Sequence, residues 1–270
     1  MQHSYSAVMH NAAFAALGID ARYELLEVRP EELEQKFQQF LQQGILGFNV
    51  TVPYKEKIKE FLDRLDEEAA LIGAVNTIKV GQGRLTEGFN TDGAGFIKHL
   101  TEIIGFDPAA KSVSILGAGG AARAIAVQLA KRKAGGISLC DLDRPKAEQL
   151  VRKLQSEFPA CRLKTVSQAD ELLKEEPDLL INATTYGMHK DEALAFNPEL
   201  FYPKLLVYDL IYNPAQTLLL RTAQRKGCRG VFNGLGMLLY QGVLAFQIWL
   251  DIEAPVEVME RSLKEALSKT

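Results

Sequence analysis

Cysteine is scarce in this sequence, and the few thiols form no motif. The 270 residues include three cysteines, Cys140, Cys161 and Cys228, and none belongs to a CxxC pair. A disulfide framework or a structural zinc site is therefore not expected, and reduced thiols are typical of a cytoplasmic protein. The four histidines also lack metal-ligand spacing, so the sequence predicts no metal site.

Long apolar runs and an excess of either charge are missing as well. The 31 basic and 34 acidic side chains give a net charge of -3, which does not indicate a nucleic-acid binder. The longest apolar stretch, residues 235–250, contains Gln241 and Gln247 and is shorter than the roughly 20 residues that cross a membrane. The first residues do not form a charged and then apolar leader, so no signal peptide is expected.

Apolar segments of two different periods alternate along the chain, which predicts parallel α/β structure. Short runs rich in Val, Ile and Leu, such as residues 112–116 and 179–182, are followed by amphipathic stretches, as in βαβ units. Residues 22–28 alternate like a strand whose leucines enter the core, and residues 54–61 predict a helix. The composition changes at residues 88–95 and 233–236, where we place the domain crossings.

A glycine-rich turn is the motif with the clearest context. Residues 117–122 fit G-x-G-x-x-A, follow an apolar strand and open a helix. Gly117 allows the tight turn, Gly119 lets the backbone approach a pyrophosphate, and Ala122 allows close helix–strand packing. With the free N–H groups of the helix start, this predicts a dinucleotide site, the alternative being a plain strand–helix turn. The predicted cofactor-binding residues of the turn are Gly117, Ala118, Gly119, Gly120 and Ala121.

A carboxylate follows the next predicted strand. Asp141 lies 22 residues after Gly119, near the spacing at which an acidic residue bonds the adenosine ribose and repels a 2′-phosphate. This favours NAD over NADP, although Arg144 is placed to reach a 2′-phosphate. A solvated loop acid is the alternative for Asp141, and Asp143 is expected to cap the following helix.

Polar residues elsewhere in the chain occur where strands end or helices begin. Lys55 follows the strand predicted at 47–52, Asn76 precedes a strand, and Asp92 starts a helix. Singly, each has an ordinary explanation, such as an exposed lysine, a helix N-cap or, for Gln241, an amide paired with the backbone. Together the hydroxyls, amides, one cation and one anion suit a polyhydroxylated acid that reacts at one carbon.

At these segments the sequence resembles the shikimate dehydrogenase family, which includes the quinate/shikimate dehydrogenases. The matching segments follow the family order along nearly the whole chain: residues 4–14, 49–55, 73–77, 90–93, 117–122, 181–184, 208–214 and 234–238. The resemblance implies a smaller α/β substrate domain at 1–92 and 236–270. It also implies an NAD(P)-binding Rossmann-like domain at 93–235, with a doubly wound parallel sheet and a cleft between the two domains.

The same resemblance implies the reversible NAD(P)H-dependent reduction of 3-dehydroshikimate to shikimate, in aromatic amino-acid biosynthesis. Lys55 and Asp92 would be the catalytic pair. The substrate-binding residues would be Ser4, Ser6, Thr51, Asn76, Asn90, Tyr212 and Gln241. The cofactor set would be completed by Thr184, Leu210 and Gly234, beside Asp141 and Arg144. Small-molecule partners are expected, and the sequence leaves monomer and homodimer open.

The chain departs from the family pattern in two places. Members that use NADP usually carry Asn-Arg-Thr where this chain has Asp141, Leu142 and Asp143. We therefore expect a preference for NAD, with an NAD-dependent quinate/shikimate dehydrogenase and a non-catalytic metabolite-binding regulator as alternatives. The family also has a further strand before the Ser-x-Ser segment, so either this strand is missing or the start of the sequence is misassigned, and without the strand we expect an open sheet edge.

Overall fold

The computed structural model describes residues 5–189 and 191–268, which divide into two compact units. The first unit contains residues 5–96 and 238–268, and the second contains residues 97–237. The α-helices are α1 (Ser6–Leu17), α2 (Leu33–Gln42), α3 (Glu67–Ile72), α4 (Asp92–Lys98), α5 (Gly120–Lys131), α6 (Arg144–Glu157), α7 (Leu218–Arg225), α8 (Leu235–Leu250) and α9 (Val256–Leu267). A π-helical turn, His99–Ile103, follows α4 directly.

Ten strands are found among the described residues, in two separate sheets. They are β1 (Gly47–Asn49), β2 (Arg64–Leu65), β3 (Thr77–Val80), β4 (Thr86–Phe89), β5 (Ser112–Leu116), β6 (Gly136–Cys140), β7 (Arg162–Thr165), β8 (Leu179–Asn182), β9 (Leu206–Asp209) and β10 (Gly230–Phe232).

The second unit is built on a parallel six-stranded sheet in the order β10-β9-β8-β5-β6-β7. This is the strand order of a Rossmann-like doubly wound sheet, so the predicted fold class is confirmed. Every residue of β8 and β9 is buried, which explains why these strands are continuous apolar runs in the sequence. The order changes direction between β5 and β8, the place where such sheets bind ligands beyond their strand ends.

The first unit contains the smaller sheet, in the order β1-β3-β4-β2. β3 pairs antiparallel with both β1 and β4, and a hairpin around Gly81 and Gly83 joins β3 to β4. Phe37 of α2 packs with Ile58, Val75 and Ile78 on one face of this sheet. The indole N–H of Trp249, on α8, donates to the carbonyl oxygen of Ile78 at 2.9 Å and ties α8 to β3.

The strand predicted at residues 22–28 is wrong. Residues 19–29 have no regular secondary structure, and Leu25 and Leu26 are exposed rather than in the core. The alternation of this segment suits a strand, but a strand also needs a neighbour to pair with. Among the described residues β1 pairs only with β3.

The helix predicted at residues 54–61 is also wrong in its first half. Residues 54–56 form turns after a cis Val52–Pro53 peptide, and a short 3-10 helix covers Lys57–Phe61. Lys55 therefore lies in a turn and not in the first turn of an α-helix.

No helix in the part of the chain that the structure describes is long and apolar enough to cross a membrane. In α8, the most apolar candidate, several side chains pack inside the first unit, including Val243 and Phe246, which are buried.

Candidate active site

Lys55 and Asp92 form an ion pair in the first unit, with Asp92 buried and Lys55 partly buried. The Lys55 Nζ lies 2.6 Å from Asp92 Oδ2, and the two side chains are only 14% and 7% exposed. The backbone carbonyl of Lys55 accepts the N–H of Val75 at 2.8 Å, which holds the turn against the segment before β3. The ordinary explanation of Lys55 as a solvent-exposed side chain is therefore wrong. An ion pair taken out of water costs desolvation energy, so its presence here calls for a chemical reason.

Asn76 holds the carboxylate of this pair from the other side. Its Nδ2 donates to Asp92 Oδ1 at 2.9 Å, so each carboxylate oxygen of Asp92 has its own partner. Its Oδ1 accepts the backbone N–H of Thr91 at 2.8 Å, which sets the orientation of the amide. Asn76 is itself buried. The geometry thus fixes the direction from which Asp92 meets the Lys55 ammonium.

Asn90 and Gln241 lie next to this core of the site. The Asn90 Nδ2 donates to the carbonyl of Ala74 at 2.9 Å, and its Oδ1 accepts the backbone N–H of Asp92 at 3.1 Å. Gln241 Nε2 donates to the carbonyl of Leu238 at 2.9 Å, while Gln241 Oε1 accepts from Asn76 Nδ2 at 3.5 Å. Gln241 is therefore both paired with the backbone and in contact with the predicted site.

The remaining predicted substrate residues are spread more widely. Ser6 begins α1 and bonds to the side chain of Tyr23, and Thr51 is exposed on the turn after β1. Tyr212 belongs to the second unit, on the segment after β9, and its contact with substrate stays a prediction. Ser4 lies outside the described residues.

The structure adds three residues that the sequence analysis did not select: Asn49, Thr77 and Thr91. Asn49 Nδ2 donates to Thr77 Oγ1 at 2.9 Å, and Thr77 Oγ1 donates to Asn76 Oδ1 at 3.0 Å. Thr91 Oγ1 accepts from Asn76 Nδ2 at 2.9 Å. A signal for them existed, because polar residues at adjoining ends of paired strands meet across the sheet.

In the second unit, the glycine-rich turn has the geometry that a dinucleotide needs. Gly117 has a φ of 109°, where only glycine is comfortable, and a Cβ there would lie 3.0 Å from Thr184 Cγ2. Gly119 is the N-cap of α5, and a Cβ built on it would meet no atom within 4 Å. Gly120 and Ala121 begin α5, whose first N–H groups have no partner within the helix. These residues fit a pyrophosphate at the helix N-terminus.

Asp141 is fixed at the end of β6 rather than free in solvent. Its Oδ2 accepts the N–H of Ala118 at 2.6 Å, and its Oδ1 accepts the N–H of Asp143 at 2.8 Å. The alternative of a solvated loop acid is therefore wrong. Asp143 caps α6 as predicted, accepting from Lys146 N. Arg144 bonds to Glu148 and to Ser167 Oγ, at 2.8 and 3.0 Å.

Thr184, Leu210 and Gly234 lie together beyond the ends of β8, β9 and β10. Asn182 Oδ1 accepts from the N–H and the hydroxyl of Thr184 at 3.1 and 2.7 Å. The backbone of Leu210 bonds to the carbonyl of Asn182 at 2.9 Å, and a Cβ on Gly234 would collide with the carbonyl of Leu210. The predicted cofactor residues of the second unit thus lie beyond the carboxyl ends of its parallel strands.

Comparison with known proteins identifies the family. A family model described as the shikimate dehydrogenase substrate binding domain matches residues 1–78, and one described as the Shikimate 5'-dehydrogenase C-terminal domain matches residues 234–264. The chain is 46% identical over 272 residues to the shikimate dehydrogenase (NADP(+)) of Moorella thermoacetica, covering 99% of this chain and 90% of the relative. The chain belongs to the shikimate dehydrogenase family. The corresponding enzyme of Methanopyrus kandleri is 43% identical, over 99% of this chain and 93% of its own.

A solved structure of this family is similar to this chain over nearly its full length. The shikimate 5-dehydrogenase of Listeria monocytogenes, in complex with shikimate and NAD, is 38% identical with a TM-score of 0.88. The match covers 97% of this chain and 93% of that one. The fold and the family inferred from the sequence motifs are both confirmed by these comparisons.

Proposed function

We propose that this chain catalyses the reversible reduction of 3-dehydroshikimate to shikimate with NADH or NADPH. The observation that carries the proposal is the largely buried Lys55–Asp92 pair, held by Asn76, in a chain of the shikimate dehydrogenase family. A bound NAD(P)H supplies the hydride to the carbonyl carbon, and NAD(P)+ accepts it in the reverse direction. The protein must then deliver a proton to the adjoining oxygen and remove it on the way back.

Lys55 is the acid/base in this proposal. Its ammonium is a compact donor at the end of a flexible stem, and proton transfer requires a donor within about 3 Å of the reacting oxygen. One carboxylate oxygen of Asp92 accepts from Lys55 and the other accepts from Asn76, as suits a residue that holds the ammonium in place. We assign Asp92 to the catalytic pair as the group that orients Lys55 and balances its charge.

The polar set around this pair would recognise the hydroxyl and carboxylate groups of the substrate. Ser6, Thr51, Asn76, Asn90 and Gln241 supply hydroxyls and amides from the first unit. A set built of donors and acceptors discriminates against molecules that lack the matching hydroxyl and carboxylate groups, because such molecules form fewer hydrogen bonds with it. This supports a polyhydroxylated acid as the substrate class.

We further propose that the chain prefers NAD to NADP. The Asp141 carboxylate is held at the end of β6 by two backbone N–H groups, where its charge would repel a 2′-phosphate. Leu142, beside it, is exposed and offers no charge to a phosphate. Arg144 is already bonded to Glu148 and Ser167. The two relatives above are named as NADP(+) enzymes, whereas the Listeria structure contains NAD, so both cofactors occur in the family.

One steady-state assay tests both proposals. Shikimate and quinate are each oxidised with NAD and with NADP, and kcat/KM is compared across the four combinations. We expect shikimate with NAD to give the largest value. A clear preference for NADP would reject our interpretation of Asp141, a preference for quinate would favour the quinate dehydrogenase alternative, and no turnover in any combination would leave the non-catalytic regulator.

A further inference from the structure

Tyr23 is held firmly although the segment around it has no regular secondary structure. Its backbone N–H donates to Asn11 Oδ1 at 2.8 Å, and its carbonyl accepts from Asn11 Nδ2 at 2.9 Å. Its ring stacks on that of His10, with the centroids 4.7 Å apart. Both partners belong to α1, whose first residue is Ser6. The helix therefore places Tyr23, while the neighbouring Leu25 and Leu26 remain exposed.

The hydroxyl of Tyr23 joins two polar residues of the first unit. It donates to Asn49 Oδ1 at 3.0 Å and is also hydrogen-bonded to the Ser6 side chain. Burial raises the pKa of Tyr23 to about 12, although the Ser6 contact lowers it slightly. The phenol thus stays protonated at all ordinary pH values and remains a donor to Asn49.

The bond from Tyr23 agrees with the orientation that the Asn76 carbonyl imposes on the Asn49 amide. With its Oδ1 turned to the Tyr23 hydroxyl, the Asn49 Nδ2 donates to the carbonyl oxygen of Asn76 at 3.1 Å and to Thr77 Oγ1 at 2.9 Å. A flipped amide would place its oxygen against the Asn76 carbonyl, where two acceptors repel. Through Thr77 and Asn76 the same chain of hydrogen bonds ends at Asp92.

We propose that Tyr23 is a positioning residue for substrate binding, acting through Ser6. Its hydroxyl is the one described link between Ser6, at the start of α1, and Asn49, at the end of β1. Without it Ser6 would lose the partner that orients its hydroxyl, whereas the Asn49 amide would keep its bonds to the Asn76 carbonyl and to Thr77. The Asn76–Asp92–Lys55 core keeps its own bonds to Thr91, so the chemical step should be affected far less than binding. This inference rests on the proposed function and on Ser6 as a substrate contact.

Tyr23→Phe tests the inference, with Tyr54→Phe as the matched control. Tyr54 is in the same unit, and its hydroxyl donates to the carbonyl of Val28, a backbone group outside the predicted site. For Tyr23→Phe we expect the KM for shikimate to rise about three- to tenfold, as for one lost hydrogen bond, with kcat nearly unchanged. Tyr54→Phe should lower the Tm without changing that KM. The KM for the cofactor should stay constant in both variants.

A double variant shows whether the effect passes through Ser6. In the Ser6→Ala background, adding Tyr23→Phe should raise the KM for shikimate no further. Additive effects would overturn the route through Ser6, as would a Ser6→Ala variant with an unchanged KM. A Tyr23→Phe enzyme with lower Tm but wild-type KM would show a purely structural role, and a lowered kcat at constant KM would place Tyr23 in the chemical step. A wild-type protein that does not oxidise shikimate would instead reject the proposed function.

Discussion

At the scale of single residues, the orientation of the central side chains of the site is fixed because most of their polar atoms are hydrogen-bonded within the protein. Asp92 uses both oxygens, and Asn76 uses its oxygen and its amide nitrogen within the protein. Such a network keeps each group in one orientation, because any rotation leaves a buried polar atom unpaired. Among the described residues the Lys55 side chain bonds to Asp92 alone, and its ammonium carries three hydrogens. It is therefore the member of the pair best able to address a substrate oxygen.

Lys55→Ala is expected to lose activity without losing the fold. Removing a general acid/base costs about 10²- to 10⁴-fold in turnover, so kcat should fall by that factor while the far-UV circular dichroism stays unchanged. Lys57→Ala is the matched control, because Lys57 is an exposed lysine two positions away that pairs with Glu60 and lies over the Phe61 ring, outside the predicted site. Near wild-type turnover in Lys55→Ala would refute the assignment of Lys55.

At the scale of structural elements, the turn between β5 and α5 contains two glycines that are needed for different reasons, one for the backbone conformation and one for ligand binding. Gly117 needs its glycine for the backbone, since its φ is 109° and Thr184 lies close. Gly119 has an ordinary φ of -72° and open space where a Cβ would be. A side chain at Gly119 would therefore disturb a ligand approaching the helix and not the protein itself.

The two glycines should consequently respond differently to alanine. We expect Gly117→Ala to lower the Tm, because alanine in the left-handed region is strained and its methyl group crowds Thr184. Gly119→Ala should leave the Tm within a few degrees of wild type but raise the KM for the dinucleotide several-fold. Thermal unfolding without ligand and cofactor titration measure the two effects. Equal loss of Tm in both variants would contradict the interpretation of Gly119 as a binding position.

At the scale of the whole molecule, two buried titratable groups give the two units opposite dependences on pH. His10 lies in the first unit beside Tyr23 and Trp249, with neither ring nitrogen hydrogen-bonded among the described residues, and burial lowers its pKa to about 3. Asp209 lies in the second unit, bonded to Thr217 and Asn182, and burial raises its pKa to about 6.

The direction of each pH dependence follows from whether the folded or the unfolded state binds the proton more tightly. For His10, the unfolded chain takes up a proton below about pH 6.5 while the folded unit does not, so stability is full above that pH and is lost as the pH falls toward 3. For Asp209, the folded unit keeps a proton that the unfolded chain has released, so its contribution is full below about pH 3.8 and is lost as the pH rises through 6. Each slope reaches at most about 1.4 kcal/mol per pH unit.

His10→Phe and Asp209→Asn should therefore change the pH profile of unfolding in opposite directions. Trp249 is the single tryptophan and lies in the His10 cluster, so its fluorescence reports on the first unit. Between pH 4 and 6, His10→Phe should lose less stability on acidification than wild type, and Asp209→Asn should lose less on the rise in pH. Denaturant unfolding at several pH values measures both, and profiles parallel to wild type would show that these groups do not titrate as inferred.

Local structure could largely be predicted from the sequence, because strands, helix caps and tight turns depend mainly on residues that are neighbours in the chain. The apolar runs at 112–116 and 179–182 became β5 and β8, and Asp143 became the cap of α6. The glycine pattern at 117–122 opens a helix after a strand, as the need for small residues there requires. Where a local pattern depended on a distant partner it misled, because residues 22–28 have the alternation of a strand but no strand beside them to pair with.

The tertiary structure decided which of the selected residues work together. The sequence named Lys55, Asp92, Asn76 and Gln241, but the contacts join positions 37 and 165 residues apart. It also brought in Asn49, Thr77 and Thr91, and it gave Tyr23 a place between Ser6 and Asn49 that its surroundings in the chain do not suggest. Side-chain type and spacing limit the chemistry that a chain has available, whereas the pairing of buried polar groups is settled only when packing excludes water and leaves each group a single partner.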